Sequence, residues 1–409
     1  MAAFVAAALL TSRRPAYGLA ALILATPFAF AHEILGTTIT LQKTVLLGVL
    51  VGLLAFPGAA KTLRDRPAPL LLGALGLYVV ASALTLFDAV HRGAAIRETL
   101  KVVEYAGVFI AAYCCYRLDP EDAPLVGSVA LAAIAVAWSA LAQEVIGAPS
   151  GLYIGPAIVP RIAGLLEGPN QLSAYAEIAI ATIGAWSLVR RTSLIDTALV
   201  SIVCADVLTF SRAGLFGLAI VAAMLAIAGG KAAWHALRYG LIGAIAGVVG
   251  SAWWAIYAHT PGVLRVSLEP SLYAGGVGNR AELWRAAWRM WLDRPLLGVG
   301  AGNFELMLPE YGVAGVRTHA NSWYLQSLAE GGVVLLGATI ALLAAIFASL
   351  SGKNLIARLR TGSPWILGAL AASVALALHQ VVDYLVFYPK VGGAWWLLLG
   401  IAAAALSRA

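Results

Sequence analysis

Apolar runs of about 20 residues, separated by short charged or Pro/Gly-rich breaks, recur along almost the whole chain and constrain its fold more than any other feature. Twelve lie near 17–36, 38–56, 69–87, 97–116, 123–145, 172–189, 194–210, 213–229, 238–258, 321–350, 364–386 and 391–407. A helix satisfies its own backbone hydrogen bonds, so in lipid each run is expected to become a spanning helix. Only 11% of the 409 residues are charged, against roughly 25% in soluble domains. That excludes a water-soluble enzyme. The expected class is an all-α polytopic membrane protein with about 12 transmembrane helices. Ala29-Phe30-Ala31 resembles a signal-peptidase site, but eleven further runs follow, so the first run reads as a retained anchor.

A net charge of +7 would suggest nucleic acid in a soluble chain. Here the basic residues first serve topology and membrane-lipid contact, and no nucleic-acid partner is expected. With the N-terminus in the cytoplasm, 14 of the 27 basic residues face inward, seven lie in short outward connections, and six fall in the long 259–320 segment. Both termini are then cytoplasmic. The organisation is one integral membrane domain over 1–409, with 259–320 inserted between the ninth and tenth spans as one large external segment. Cys114, Cys115 and Cys204 sit in apolar runs and read as packing residues.

The informative cations are those on the side where topology does not require them: Arg161, Arg212, Arg265, Arg280, Arg285, Arg289, Arg294 and Arg317, joined by His319. Guanidinium forks suit phosphate oxygens, although any one of them can simply snorkel or pair with a carboxylate. In the 279–293 stretch Trp284, Trp288 and Trp291 recur at helical spacing, with Glu282, Arg285, Arg289 and Asp293 on the opposite face. Those four read as a solvated face and the tryptophans as an outer-leaflet stripe. Arg280 falls beside the stripe, in the first turn after a candidate Asn279 cap, where the helix dipole opposes a cation unless an anion binds. Arg212 stands at the mouth between two runs, and Arg161 in a Gly/Pro-rich loop that also carries Asn170 and Gln171. His319 precedes Asn321 and a long apolar run, and an imidazole kept neutral by nearby cations suits a general base. His379, Gln380 and Asp383 form a polar cluster within the eleventh run, a second functional element or a packing network. The external segments lack Asp-x-Asp, His-x-His and paired-cysteine spacings, so neither a metal nor any other cofactor is expected.

With these residues in hand, the chain resembles the O-antigen ligase and polymerase family of bacterial membrane glycosyltransferases. Three segments carry the likeness: Arg161-Ile-Ala-Gly-Leu-Leu-Glu-Gly-Pro-Asn170, Thr209-Phe-Ser-Arg212-Ala-Gly, and a stretch from Arg280 through Arg294-Pro-Leu-Leu-Gly-Val-Gly-Ala-Gly-Asn-Phe304 to His319-Ala-Asn-Ser-Trp-Tyr-Leu-Gln326 and Glu330-Gly-Gly332. The resemblance implies a GT-C-like fold in the Gram-negative inner membrane with its active site facing the periplasm. The implied donor is undecaprenyl diphosphate-linked O-antigen, and for a ligase the acceptor is lipid A-core oligosaccharide. It further implies His319 as base and Arg161, Arg212 and Arg280 as diphosphate clamps. Arg265 lies in the same external segment without a matching motif and is grouped with them on that ground, with Asn170, Gln171 and Asn321 as sugar-binding or supporting groups. Family members often place the histidine directly before the asparagine. Here Ala320 intervenes, which in a helix would rotate the ring by about 100°. An O-antigen polymerase shares the donor, and a lipid-linked oligosaccharide transporter without chemistry is the alternative from another class.

Overall fold

In a computed structural model the described residues are 2–28, 30–34, 37–64, 68–147, 150–154, 157–257, 278–315, 318–352 and 354–407. Helix starts are written locally. Prolines occupy the first or second position of the helices Pro15–Ala25, Pro69–Leu84, Pro169–Ser187, Pro364–His379 and Pro389–Leu406, where no intrahelical N–H bond is lost. Side chains of Thr40, Thr192, Ser211 and Ser322 cap others by accepting from the backbone N–H three residues on.

The elements in chain order are α1 (Ala2–Arg13), α2 (Pro15–Ala25), the hairpin β1 (Ala31–Ile34) and β2 (Thr37–Thr40), α3 (Leu41–Ala55), α4 (Ala59–Arg64), α5 (Pro69–Leu84), α6 (Arg92–Leu118) and α7 (Asp122–Ile146). A second hairpin, β3 (Ser150–Ile154) and β4 (Ala157–Arg161), leads to α8 (Pro169–Ser187), α9 (Ser193–Leu208), α10 (Arg212–Gly229) and α11 (Ala233–Tyr257). After residues outside the described set come α12 (Gly278–Asp293), α13 (Phe304–Met307), α14 (Trp323–Ser351), α15 (Leu355–Thr361), α16 (Pro364–His379) and α17 (Pro389–Leu406).

Six helical stretches among the described residues are long and apolar enough to cross a membrane: Pro69–Phe87, Arg92–Leu118, Asp122–Ile146, Arg212–Trp253, Trp323–Ser351 and Pro389–Leu406. Ala2–Arg13, Pro15–Ala25, Leu41–Ala55 and Pro364–His379 are shorter apolar helices. The chain is a multi-pass membrane protein. Its buried core includes Trp323, Trp365, Trp395 and Phe109, while Leu54, Leu77, Phe216, Trp234 and Trp253 face outward, the pattern of a bundle whose solvent is lipid.

Two of the apolar runs are cut short as helices. The first run, 17–36, is cut short: α2 ends at Ala25, a hairpin follows, and a separate helix α1 precedes it, because Pro15 cannot donate into a continuous helix. The eleventh run, 364–386, stops being helical at His379. Gln380 Oε1 accepts from Val386 N at 3.2 Å and Asp383 Oδ1 from Tyr384 N at 2.8 Å, so side chains hold a folded loop over 380–388. Among the described residues two short antiparallel hairpins also interrupt the run of helices.

The pairs α6 with α17, α8 with α16, α9 with α11, α5 with α14 and α10 with α16 build the bundle, and α12 lies against α14. At one end Arg14 pairs with Asp119 and Glu121, and Trp365 Nε1 donates to Asp122 at 2.8 Å. The opposite end gathers the starts of α6, α8, α10, α14 and α17.

Candidate active site

The end of the bundle that carries the candidate residues is organised by a break in α14. Gly332 has φ 58° and ψ −156° inside the helix. A Cβ there would lie 2.3 Å from the Leu296 carbonyl, so glycine lets the 294–303 loop run along the break. Val333 N donates to Pro295 O at 2.9 Å, Val299 N to Ala329 O at 3.0 Å and Gly300 N to Glu330 O at 2.9 Å. Glu330 Oε1 accepts from Phe304 N at 3.0 Å and Gln326 Nε2 at 2.9 Å, and Gln326 Oε1 accepts from Ala320 N at 2.7 Å. A continuous chain of bonds thus joins the glycine-rich loop to the residue beside His319.

The 318–322 stretch is a turn, so a helical rotation of His319 by the intervening Ala320 does not arise. Asn321 takes φ 48°, a left-handed conformation that asparagine tolerates, and Ser322 then caps α14. Trp323 N donates to the carbonyls of Gln380 and Asp383, both at 3.0 Å. The 380–388 loop also supplies the aromatic wall of the histidine: its ring centroid lies 4.1 Å from Phe387, 5.4 Å from Tyr384 and 6.0 Å from Tyr388. Burial, with the Lys101 ammonium second, lowers the His319 pKa to about 4. The imidazole is neutral at neutral pH and lines a cavity of about 220 Å³ with Arg97, Glu98, Glu305, Gln326 and Glu330.

Arg161 ends β4 rather than lying free in a loop. Its Nε donates to Thr209 O at 2.8 Å and its Nη2 to Asn170 Oδ1 at 3.1 Å, while Asn170 Nδ2 donates to Asp383 Oδ2 at 2.7 Å. Gln171 faces the Tyr388 hydroxyl. Arg212 is exposed at the first position of α10, three residues after the carbonyl that Arg161 holds. The 161–171 segment, the 209–212 turn and the His319 turn therefore converge on the 380–388 loop.

Arg280 is half-buried in the first turn of α12. The helix starts at Gly278, which puts Asn279 within that turn rather than at the cap. The expected tryptophan stripe is corrected as well: the buried face is Leu283, Ala286, Ala287 and Met290, packed with Phe304, Ala320 and Ala329. Small and linear side chains allow α12 to dock closely on α14, so Trp284 and Trp291 flank the contact and Trp288 is 49% exposed. Glu282, Arg285, Arg289 and Asp293 are exposed as expected. Arg294 is taken up by the fold, Nη1 donating to Asp88 O at 2.6 Å. Arg265 and Arg317 lie outside the described residues.

Residues 197–340 match the family model described as O-Antigen ligase. Over these residues the chain is similar to the O-antigen ligase family. No match was found among curated proteins. The O-antigen ligase segment contains Arg212, Arg280, His319 and the Gly332 break, whereas Arg161, Asn170, Gln171 and the 380–388 loop lie outside it.

Around the O-antigen ligase segment the structure adds groups that sequence reasoning missed. Arg97, Glu98 and Lys101 stand on α6 beside His319, with Lys101 Nζ 2.7 Å from Glu98 Oε1 and 3.4 Å from the Phe387 ring centroid. Their signal was three charges at the head of an apolar run, where charge is costly without a partner. The polar cluster at His379 divides in two. His379 Nδ1 lies 2.8 Å from Glu177 Oε1 inside the bundle, near the Ser173–Asp206 bond of 2.5 Å, while Gln380 and Asp383 shape the loop.

Proposed function

We propose that this chain is an O-antigen ligase that transfers a polysaccharide from undecaprenyl diphosphate to a sugar hydroxyl of lipid A-core oligosaccharide. The O-antigen ligase match supports a membrane enzyme of the ligase or polymerase class acting on lipid-linked O-antigen. One observation carries the finer reading: a neutral His319 at the wall of a polar cavity, packed against the loop that also receives Asn170 and, through it, Arg161.

In the proposed reaction the unprotonated His319 nitrogen takes the proton of the acceptor hydroxyl while that oxygen attacks the anomeric carbon. The bond to the diphosphate oxygen breaks, undecaprenyl diphosphate leaves with the bonding pair, and the anomeric centre inverts. Arg161, Arg212 and Arg280, with Arg265, bind the charge that grows on the diphosphate, which replaces a metal in that role. The anionic donor also raises the basicity of the imidazole when it binds, because a nearby negative charge favours imidazolium. A GT-C-like arrangement with both termini cytoplasmic, 259–320 on the periplasmic side and the site facing the periplasm of a Gram-negative cell completes the proposal.

The test is transfer by purified protein from undecaprenyl diphosphate-linked O-antigen, with lipid A-core supplied or withheld. Glycan attached to lipid A-core supports the ligase. Chains that lengthen on the lipid carrier without lipid A-core establish the polymerase instead. Transfer unchanged by chelator is expected; loss restored by a divalent cation would overturn the metal-free mechanism.

A further inference from the structure

We propose that the cavity between the head of α6 and α13, beside His319, is the subsite for one neutral, hydroxyl-rich sugar ring of the acceptor. The proposal rests on the glycosyl-transfer reading above. Its walls include Glu98, Glu305 and Glu330 against a single Arg97, with Phe387 as the apolar side. Carboxylates accept hydrogen bonds from sugar hydroxyls and repel a diphosphate, so this chemistry suits the acceptor and not the donor's charged end.

The 380–388 loop separates the two chemistries. Asp383 turns to Asn170 and the arginine-bearing segment, while Phe387 turns to the cavity. His319 touches Phe387 and lines the cavity, so a sugar ring held there would lie against the imidazole. At about 220 Å³ the space is below the roughly 300–1,000 Å³ of sites that enclose drug-sized ligands, and it admits one ring of an oligosaccharide whose remainder stays outside. Glu305 is the most informative wall residue. Glu98 pairs with Lys101, and Glu330 accepts from Phe304 N and Gln326, but Glu305 makes no ion pair or hydrogen bond among the described residues. Its carboxylate is open to a ligand.

The experiment measures steady-state transfer by the full-length protein with Glu305→Gln, Glu98→Gln and the exposed control Glu310→Gln, varying lipid A-core and donor in turn, together with binding of undecaprenyl diphosphate. Each cavity variant is expected to raise the KM for lipid A-core about tenfold, the loss of a hydrogen bond to a charged group. Donor KM and undecaprenyl diphosphate binding stay unchanged, and Glu310→Gln behaves as wild type. An unchanged acceptor KM in both cavity variants of an otherwise active enzyme overturns the subsite alone, as does a parallel loss of undecaprenyl diphosphate binding. No transfer by the wild type, with donor bound, overturns the glycosyl-transfer reading and the subsite with it.

Discussion

Asn170 and Asp383 lie 213 residues apart in sequence and meet at 2.7 Å, amide nitrogen to carboxylate, while the other end of the same amide accepts from Arg161 at 3.1 Å. The polarity of this relay is fixed from both sides, since Arg161 can only donate and Asp383 only accept. Asp383→Asn sets donor against donor somewhere along it, and Asn170→Asp sets two carboxylates face to face. Each single change is expected to lower transfer about tenfold. The exchanged pair Asn170→Asp/Asp383→Asn restores every donor to an acceptor and should recover most of the activity. A double mutant no better than the worse single would show that the relay does not position Arg161.

For the base, the sign of the pH effect follows from its cause. Burial and Lys101 hold the His319 pKa down to about 4, so kcat/KM is flat across neutral pH and is lost as pH falls through that value. Lys101→Met removes a cation and moves the acid limb to higher pH. His319→Ala lowers turnover about a hundred- to ten-thousandfold and leaves donor binding measurable.

Among the arginines, position on α12 and at the start of α10 separates the two proposed to bind diphosphate from a solvated face. Arg212→Ala and Arg280→Ala are expected to lose transfer while inserting normally, and Arg285→Ala and Arg289→Ala to stay near wild type. The measurement is transfer normalised to membrane protein level; equal losses at all four positions would contradict the separation.

Gly332 offers a test of the architecture itself. With φ 58° and a carbonyl 2.3 Å from its missing Cβ, Gly332→Ala should destabilise by more than about 1 kcal/mol and lower the thermal unfolding midpoint in detergent. Gly337→Ala, in the same helix with nothing within 4 Å, should be neutral or slightly stabilising.

Much of the bundle was legible because hydropathy is a local property: a helix occupies each of the twelve apolar runs. What hydropathy missed depends on individual side-chain bonds. The run to 386 contains Gln380 and Asp383, whose side chains take the backbone donors that a helix would have used. On α12 the tryptophans carry the larger apolar surface, yet alanine and methionine make the closer contact with α14. The order of Arg161, Asn170, Arg212 and His319 in the sequence identified the candidates. It could not show that they share a support in 380–388, since that depends on contacts across more than two hundred residues.

Because the 380–388 loop braces both Asn170 and the His319 turn, the O-antigen ligase segment is not a self-sufficient module. A chimera that transplanted 197–340 alone would import the histidine and three of the proposed arginines without the brackets that hold the site. Exchange between homologues should succeed only when the second hairpin and the 380–388 corner of the protein that supplies the segment travel with the graft.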